Sequence, residues 1–429
     1  MSIANAQIPA AADSVEPTTC DVLVIGGGPA GATMGTLLAR QGRNVVVLEK
    51  AHHPRFHVGE SLLPANVALF EQLGIRDELE RIGMPKWGVE FCSPDHGHRS
   101  YIDFAEAWDK SMPYAWQVRR SEMDELLFRQ AGREGARTVE GCRVREVRFD
   151  DPAMPGGVVV RATMDDGAPR EYHARFVVDA SGRDTFLSNK LQLKQKNPKH
   201  NSSALFGHFR GARRLEGRKE GNITIFWFAH GWFWFIPLAD GATSIGAVCW
   251  PYYLKTREKP LQAFFADTIA MCPHLAARLD GATLVDDAVH ATGNYCYAAT
   301  HASAERYLLL GDAYAFVDPV FSSGVHLATY SALLAARAIN TRLAGDLDDE
   351  RVFQEYEMRY RREFGNFYQF LMAFYDMDQE MDSYFWSARK IVNTDERDNE
   401  AFVRLVAGRS EVDEPVFYAG QDFFDAREG

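Results

Sequence analysis

The sequence predicts an α/β fold: a parallel sheet whose strands are scattered along the chain, a second β-sheet unit laid over it, and a helical C-terminal region. Three observations predict it. Residues 20–50 read as strand, glycine-rich turn, helix and strand. Two further apolar runs, Phe176–Asp179 and Tyr307–Leu310, also stop at a glycine turn. Between them lie aromatic and β-branched runs of strand length at 203–210, 222–229, 232–237 and 243–250.

The first unit is the most explicit. Val22–Ile25 is a strand-type run, Gly26-Gly27-Gly28-Pro29-Ala30-Gly31 follows, and an Ala/Leu-rich helix begins. A second strand, Asn44–Leu48, ends in Glu49 and Lys50. Gly26 permits the tight turn, Gly28 lets backbone approach a pyrophosphate, and Gly31 allows the helix to pack closely on the strand. The helix start at Pro29 and Ala30 offers free N–H groups to phosphates. Glu49 is placed for ribose hydroxyls, with Lys50 on the same adenosine side. The arrangement is a Rossmann-type dinucleotide unit, and the strand before and acid after make the match specific. A single fingerprint of this kind is present, with no second one for a nicotinamide cofactor.

Charge and cysteine usage narrow the function. A formal net charge of −12 excludes a nucleic-acid surface and disfavours anionic lipid. Cys20, Cys92, Cys142, Cys249, Cys272 and Cys296 form no CxxC pair, and no metal-ligand spacing occurs, so free buried thiols in a cytoplasmic protein are expected. His52, His53 and His57 have no carboxylate pattern to complete a metal site. Residues 1–19 lack the basic and apolar regions of a signal peptide and read as a disordered tail. No apolar run reaches the roughly 20 residues of a membrane span.

Later segments identify the dinucleotide. Phe176-Val177-Val178-Asp179-Ala180-Ser181-Gly182-Arg183, the Gly311-Asp312 turn, Asp318-Pro319 and the Phe321-Ser322-Ser323-Gly324-Val325 run together resemble the FAD-binding set of the flavoprotein monooxygenase superfamily, whose fold is p-hydroxybenzoate hydroxylase-like. Val118-Arg119-Arg120-Ser121-Glu122-Met123-Asp124 resembles a further motif of that set. The resemblance implies Asp312 on the ribityl chain and Arg120 on the diphosphate or adenine side. It also implies Pro319, Gly324 and Val325 at the flavin, with the small-residue helix Ala328–Ile339 aimed at the ring.

Within that superfamily, Trp232-x-Trp234-x-Ile236-Pro237 resembles the WxWxIP motif of the flavin-dependent halogenases. By periodicity alone this is a strand with tryptophans on one face, a pattern that a protein core also shows. The resemblance implies a barrier that keeps substrate off the flavin, and wide, stiff indoles suit a wall. Arg55-Phe56-His57-Val58-Gly59-Glu60-Ser61-Leu62-Leu63-Pro64 is similar to the family's flavin strap, which places Ser61 at the cofactor. Pro85-Lys86-Trp87-Gly88 is similar to the element carrying its essential lysine. Lys86 sits among apolar residues, where desolvation favours a neutral amine. Ser323-Gly324 corresponds to the halide nest. Phe321 stands where tryptophan-using members carry a glutamate and joins the barrier residues.

The resemblance implies an FAD-dependent halogenase, with FADH2 supplied by a separate flavin reductase. O2 and chloride or bromide pass through a flavin hydroperoxide to hypohalous acid, which Lys86 receives or positions. The missing glutamate points to an electron-rich aromatic substrate, a phenol or a pyrrole, free or held on an acyl or peptidyl carrier protein. The competing readings are an FAD-dependent aromatic hydroxylase or geranylgeranyl reductase-like oxidoreductase, and a non-catalytic flavin-binding protein. The expected FAD-binding domain comprises 20–60, 105–190 and 290–345; the substrate domain, 61–104 and 191–289; and the helical region, 346–429. The aromatic residues of that last region, from Phe364 to Trp386, either pack on the core or line a pocket.

Overall fold

The computed structural model describes residues 16–92, 99–106, 113–197, 202–293, 296–345 and 349–375. Its first sheet is built around strand Thr18–Ile25, which begins two residues inside the stretch read as a tail. Val45–Leu48 flanks it on one side and Pro169–Asp179 on the other, both parallel. Tyr307–Leu309 lies beyond Pro169–Asp179, and Arg137–Val139 lies beyond Val45–Leu48. Fully buried valines such as Val22, Val24 and Val47 explain the continuous apolar runs, since a parallel strand is covered on both faces. The first half of Pro169–Asp179 also pairs antiparallel with Val158–Met164, which continues to Cys142–Phe149.

Helix Pro29–Arg40 carries proline at its start, where a missing N–H costs nothing, and packs between helices Arg120–Arg133 and Ser323–Ala344. Gly31 makes that packing possible. A Cβ there would lie 1.9 Å from the Gly26 carbonyl oxygen, a backbone atom that cannot swing aside. Gly31→Ala is therefore expected to cost about 1–3 kcal/mol of stability and to reduce retained flavin. Denaturant midpoint and flavin content of the purified variant check this.

The second sheet runs in the order Thr283–Leu284, Ser203–Arg210, Ala242–Cys249, Gly231–Pro237, Ile223–Phe228, Gly88–Cys92 and Arg99–Asp103. Its central tryptophan strand is buried at every position. Trp232, Trp234 and Ile236 face the first sheet's core with Ile225. Phe233 and Phe235 face the other way, with Phe226, Phe228 and Ile245, onto Phe264 and Phe265 of helix Leu261–Ala270. Gly246 lies opposite Trp234, and a Cβ there would meet the indole at 2.1 Å. Glycine at that position is what seats the ring. A two-stranded ribbon, Met84–Lys86 with Ala115–Gln117, links the sheets.

Helix Asp349–Tyr375 runs along Ser323–Ala344. Tyr356, Tyr360, Phe364, Phe367 and Leu371 recur at helical spacing and are buried. Phe364, Phe367, Tyr368, Phe370 and Leu371 belong to the main core, the first of the two expected roles. The Met377, Tyr384, Phe385 and Trp386 readings lie outside the described residues, as do the side chains of Phe374 and Tyr375. Among the described residues no helix is long and apolar enough to cross a membrane.

Candidate functional site

A cavity of about 500 Å³ opens where the glycine turn, the segment 55–61 and the segment 312–328 meet. The fold brings these together because the first sheet's parallel strands all end at this edge. Gly26, Gly28, Pro29 and Ala30 line the cavity, while Gly31 packs behind them. Gly26 has φ +106°, a conformation open to glycine and strained for other residues.

Glu49 lines the cavity, and its carboxylate is engaged with the turn itself: it accepts from Gly27 N at 2.8 Å and Ala51 N at 2.9 Å. Any ribose contact uses its remaining lone pairs. Lys50 sits at the rim, paired with Asp184. Arg120 is buried rather than on a helix surface. It holds Asp124 at 2.8 and 3.1 Å and donates to Val58 O at 2.9 Å. Arg55, unassigned in the sequence, reaches the same Asp124 at 3.2 Å. Burial alone would raise the Asp124 carboxyl, yet Arg120 and Arg55 outweigh it and hold the group below its ordinary range. Arg55 also lies 3.8 Å from Glu49, so two guanidiniums and two carboxylates share this wall.

An unsatisfied donor on this wall fits a diphosphate. The Arg55 Nε is buried with no hydrogen-bond partner, and a Cβ on Gly28 would lie 3.3 Å from the same guanidinium. Asp312 opens onto the cavity, with its acid pushed up to about 6 by burial, against which Arg183 and Arg120 pull downward. A ribityl hydroxyl would satisfy it. His57, also on the wall, is pushed down to about 4 by burial and by Arg120, so its ring is neutral and donates Nδ1–H to Val58 O at 2.8 Å. Asp179 of the middle motif is structural: it accepts from Ser181 N and Leu187 N.

The far wall is Trp232, Trp234 and Ile236; Pro237 ends the strand without lining the cavity. Trp234 Nε1–H donates to Ser244 Oγ at 3.1 Å, fixing the ring. Phe321, expected with this wall, does not line it: the ring stacks on Phe370 with centroids 4.4 Å apart. That partner lies 49 residues along the chain (321 to 370), beyond the reach of local pattern. Pro319, Ser323, Gly324 and Val325 do line the cavity. The helix expected from Ala328 starts at Ser323, directly after Ser322 in the left-handed conformation. Ser323 and Gly324 thus stand in the first turn, where N–H groups lack intrahelical acceptors. Asp318, also on the wall, and His326 are held by local contacts. Asp318 caps the preceding turn through Val320 N, and His326 bonds Glu363.

Lys86 is fully buried and lies off the cavity wall, behind Ser61. Segment 55–63 is stitched to the lysine's ribbon by a Ser61–Gln117 bridge and by Leu62 N to Trp116 O. Lys86 Nζ donates to Ser61 Oγ and Leu62 O, each at 2.9 Å, and lies 5.2 Å from the centre of the Phe104 ring. Burial lowers its pKa to about 7. Two oxygen acceptors use both hydrogens of a neutral amine and leave its lone pair free. Ser61 therefore touches the cavity on one side and the amine on the other. Next to it Glu60, buried and also on the wall, holds His208 at 2.7 Å. The segment was recognised in the sequence, but this Glu60–His208 contact joins strand Ser203–Arg210 across 148 residues and left no local signal. All six cysteines are free and buried, and no metal-ligand cluster occurs among the described residues.

Comparison with known proteins agrees with this geometry. The tryptophan halogenase family model matches residues 21–111 and 102–428. A tryptophan 2-halogenase from Chondromyces crocatus is 31% identical over 88% of this chain and 72% of its own length. A 1H-pyrrole-2-carbonyl-[peptidyl-carrier protein] chlorinase from Pseudomonas fluorescens is 30% identical over 83% of this chain and 84% of its own. Among solved structures, the myxobacterial chondrochloren halogenase, described as a variant of FAD-dependent halogenases, superposes with a TM-score of 0.80 and 44% identity, covering 94% of this chain and 93% of that one.

Proposed function

The chain belongs to the tryptophan halogenase family and is an FAD-dependent halogenase, and from that footing we propose that it halogenates an electron-rich aromatic, a phenol or a pyrrole, with Lys86 as the catalytic residue. The observation that carries the lysine's role is its burial behind Ser61 with a lone pair free. Bound as FADH2, the flavin supplies the electrons with which O2 converts chloride or bromide to hypohalous acid. The chain's own residues do the rest. Gly26, Gly28, Arg55, Arg120 and Asp312 would hold the cofactor. Ser323 and Gly324 N–H groups at a helix start would hold the halide. Trp232, Trp234 and Ile236 would keep the aromatic away from the flavin, so that the electrophile travels rather than the substrate. The Lys86 amine would accept or orient the hypohalous acid, and the indoles and Phe104 keep bulk water out of that route.

Two observations support the substrate class. Phe321 stands in the place of a carboxylate, and its ring is committed to Phe370, so no acid assists there. Phenols and pyrroles need less such help. A carrier-bound substrate is supported by the pyrrolyl-carrier chlorinase relative; a separate, diffusing flavin reductase would supply FADH2. Six buried free thiols support a reducing, cytoplasmic setting. The test is mass spectrometry of reactions containing FAD, a flavin reductase, NADH, oxygen and chloride or bromide, with phenols, pyrroles, tryptophan and aryl thioesters on carrier proteins. A halogen isotope pattern on phenols or pyrroles is expected. Efficient turnover of free tryptophan with phenols and pyrroles ignored would overturn the substrate assignment.

Ser61 gives a sharper check of the route. Ser61→Ala removes one of the amine's two acceptors and is expected to lower halogenation about tenfold, the worth of one buried polar contact. Flavin content should stay near that of the parent protein. Equal losses of flavin and of turnover would assign Ser61 to the cofactor alone.

A further inference from the structure

The four cavity-facing residues of the halide turn, Ser322 to Val325, are bracketed by two that face away. Before them Phe321 stacks on Phe370 at 4.4 Å between centroids, with the planes 27° apart. After them His326 bonds Glu363 at 2.9 Å, and its ring lies 5.8 Å from that of Phe367. Glu363, Phe367 and Phe370 stand at i, i+4 and i+7 of helix Asp349–Tyr375, so one helical face touches both flanks of the turn. His326 and Glu363 are 7% and 2% exposed, so their hydrogen bond is sheltered from water.

The turn needs such support. Ser322 has φ +57°, a conformation that a serine keeps when its surroundings impose it. On its other side Asp318 is fixed by Val320 N at 3.1 Å and Ser202 Oγ at 2.9 Å. The direction of the Ser323 and Gly324 N–H groups then depends on how the first turn of Ser323–Ala344 is seated. We propose that Glu363, Phe367 and Phe370 are positioning residues that seat this turn for anion binding, acting through His326 and Phe321. The inference rests on the halide assignment made above, and it gives the C-terminal helix a role in the reaction beyond packing.

The experiment titrates chloride and bromide into the oxidised, FAD-loaded protein. It follows the flavin absorbance spectrum, with thermal stability and the halide KM and kcat measured in parallel. Glu363→Ala and His326→Ala are expected to weaken halide binding and raise halide KM about tenfold, with kcat at saturating halide within about threefold. Glu363→Gln keeps an acceptor for the ring and is expected to stay within about twofold. Phe370→Leu tests the other flank independently and remains informative if a Glu363 variant fails to fold. Lower melting temperature with unchanged halide affinity and KM in these variants would overturn the proposal and leave a core contact. A parent protein that halogenates with no halide-dependent change in the flavin spectrum would instead remove the halide assignment itself, and the inference with it.

Discussion

Lys86→Ala is expected to abolish halogenation, by about 10³-fold, while FAD remains bound. Flavin retention follows from position: Lys86 lies off the cavity wall, and the diphosphate and ribityl contacts assigned above do not involve it. The loss follows from chemistry, because among the described residues no other amine bonds Ser61 Oγ or Leu62 O. Oxygen consumption should continue in the variant, with hypohalous acid or peroxide escaping instead of product. The pH profile distinguishes two modes of action. If the lone pair attacks the halogen, kcat rises as pH passes about 7, where the buried ammonium loses its proton. If the ammonium donates a hydrogen bond to the acid, kcat falls through the same region. With both hydrogens of the neutral form already accepted and no third oxygen acceptor among the described residues, the rising limb is expected. A Lys86→Ala protein that halogenates at the parent rate would remove the lysine from the mechanism.

The same group makes a stability prediction. Its pKa is about 7 when folded and near the ordinary 10.5 when unfolded. Between those values the unfolded chain binds the extra proton, so this residue's contribution to stability rises with pH across the window. Below about pH 7 its full cost, on the order of 5 kcal/mol, is present; above the unfolded value it vanishes. Lys86→Met should raise stability at neutral pH and flatten that slope in denaturant titrations. On the proposed role, the site would carry a destabilising group for the sake of its chemistry.

Local pattern exposed what local physics dictates. The glycine turn was legible because backbone approach admits few other residues. The tryptophan strand was legible because period-two alternation survives even where both faces are buried. Its observed limits, Gly231–Pro237, differ from the expected ones by one residue. Strands 203–210 and 242–249 were found equally closely. What stayed hidden was contact between distant segments. Phe321 looked like a barrier residue until its partner Phe370 was placed, and the start of the following helix was set too late, because a left-handed serine, not a glycine, precedes Ser323. The Asp124 cluster is the clearest case. Arg120 and Asp124 were marked by a motif, but Arg55 joins them from 69 residues away (55 to 124) with no periodic signal.

That missed arginine carries the second large effect. Arg55→Ala is expected to weaken FAD binding about 100-fold, from the loss of one or two charge-assisted hydrogen bonds to phosphate. The fold should tolerate the change, because Asp124 keeps its two bonds to Arg120 at 2.8 and 3.1 Å and is not left uncompensated. Arg120→Ala differs for this reason: it strips the bonded partner from a buried carboxylate and frees two carbonyls, so it should lower stability as well as affinity. Arg55→Lys retains charge without the planar fork and should fall between the parent and Arg55→Ala. Fluorescence quenching of FAD gives each Kd, and repeating the titrations at higher salt should shrink the gap between parent and Arg55→Ala as screening grows. If Arg55→Ala lowered the melting temperature and left the FAD Kd unchanged, the orphaned Nε would be a packing defect, and the phosphate contact would fall to Arg120 alone. The contrast between the two arginines thus tests which of them faces the cofactor and which supports the wall.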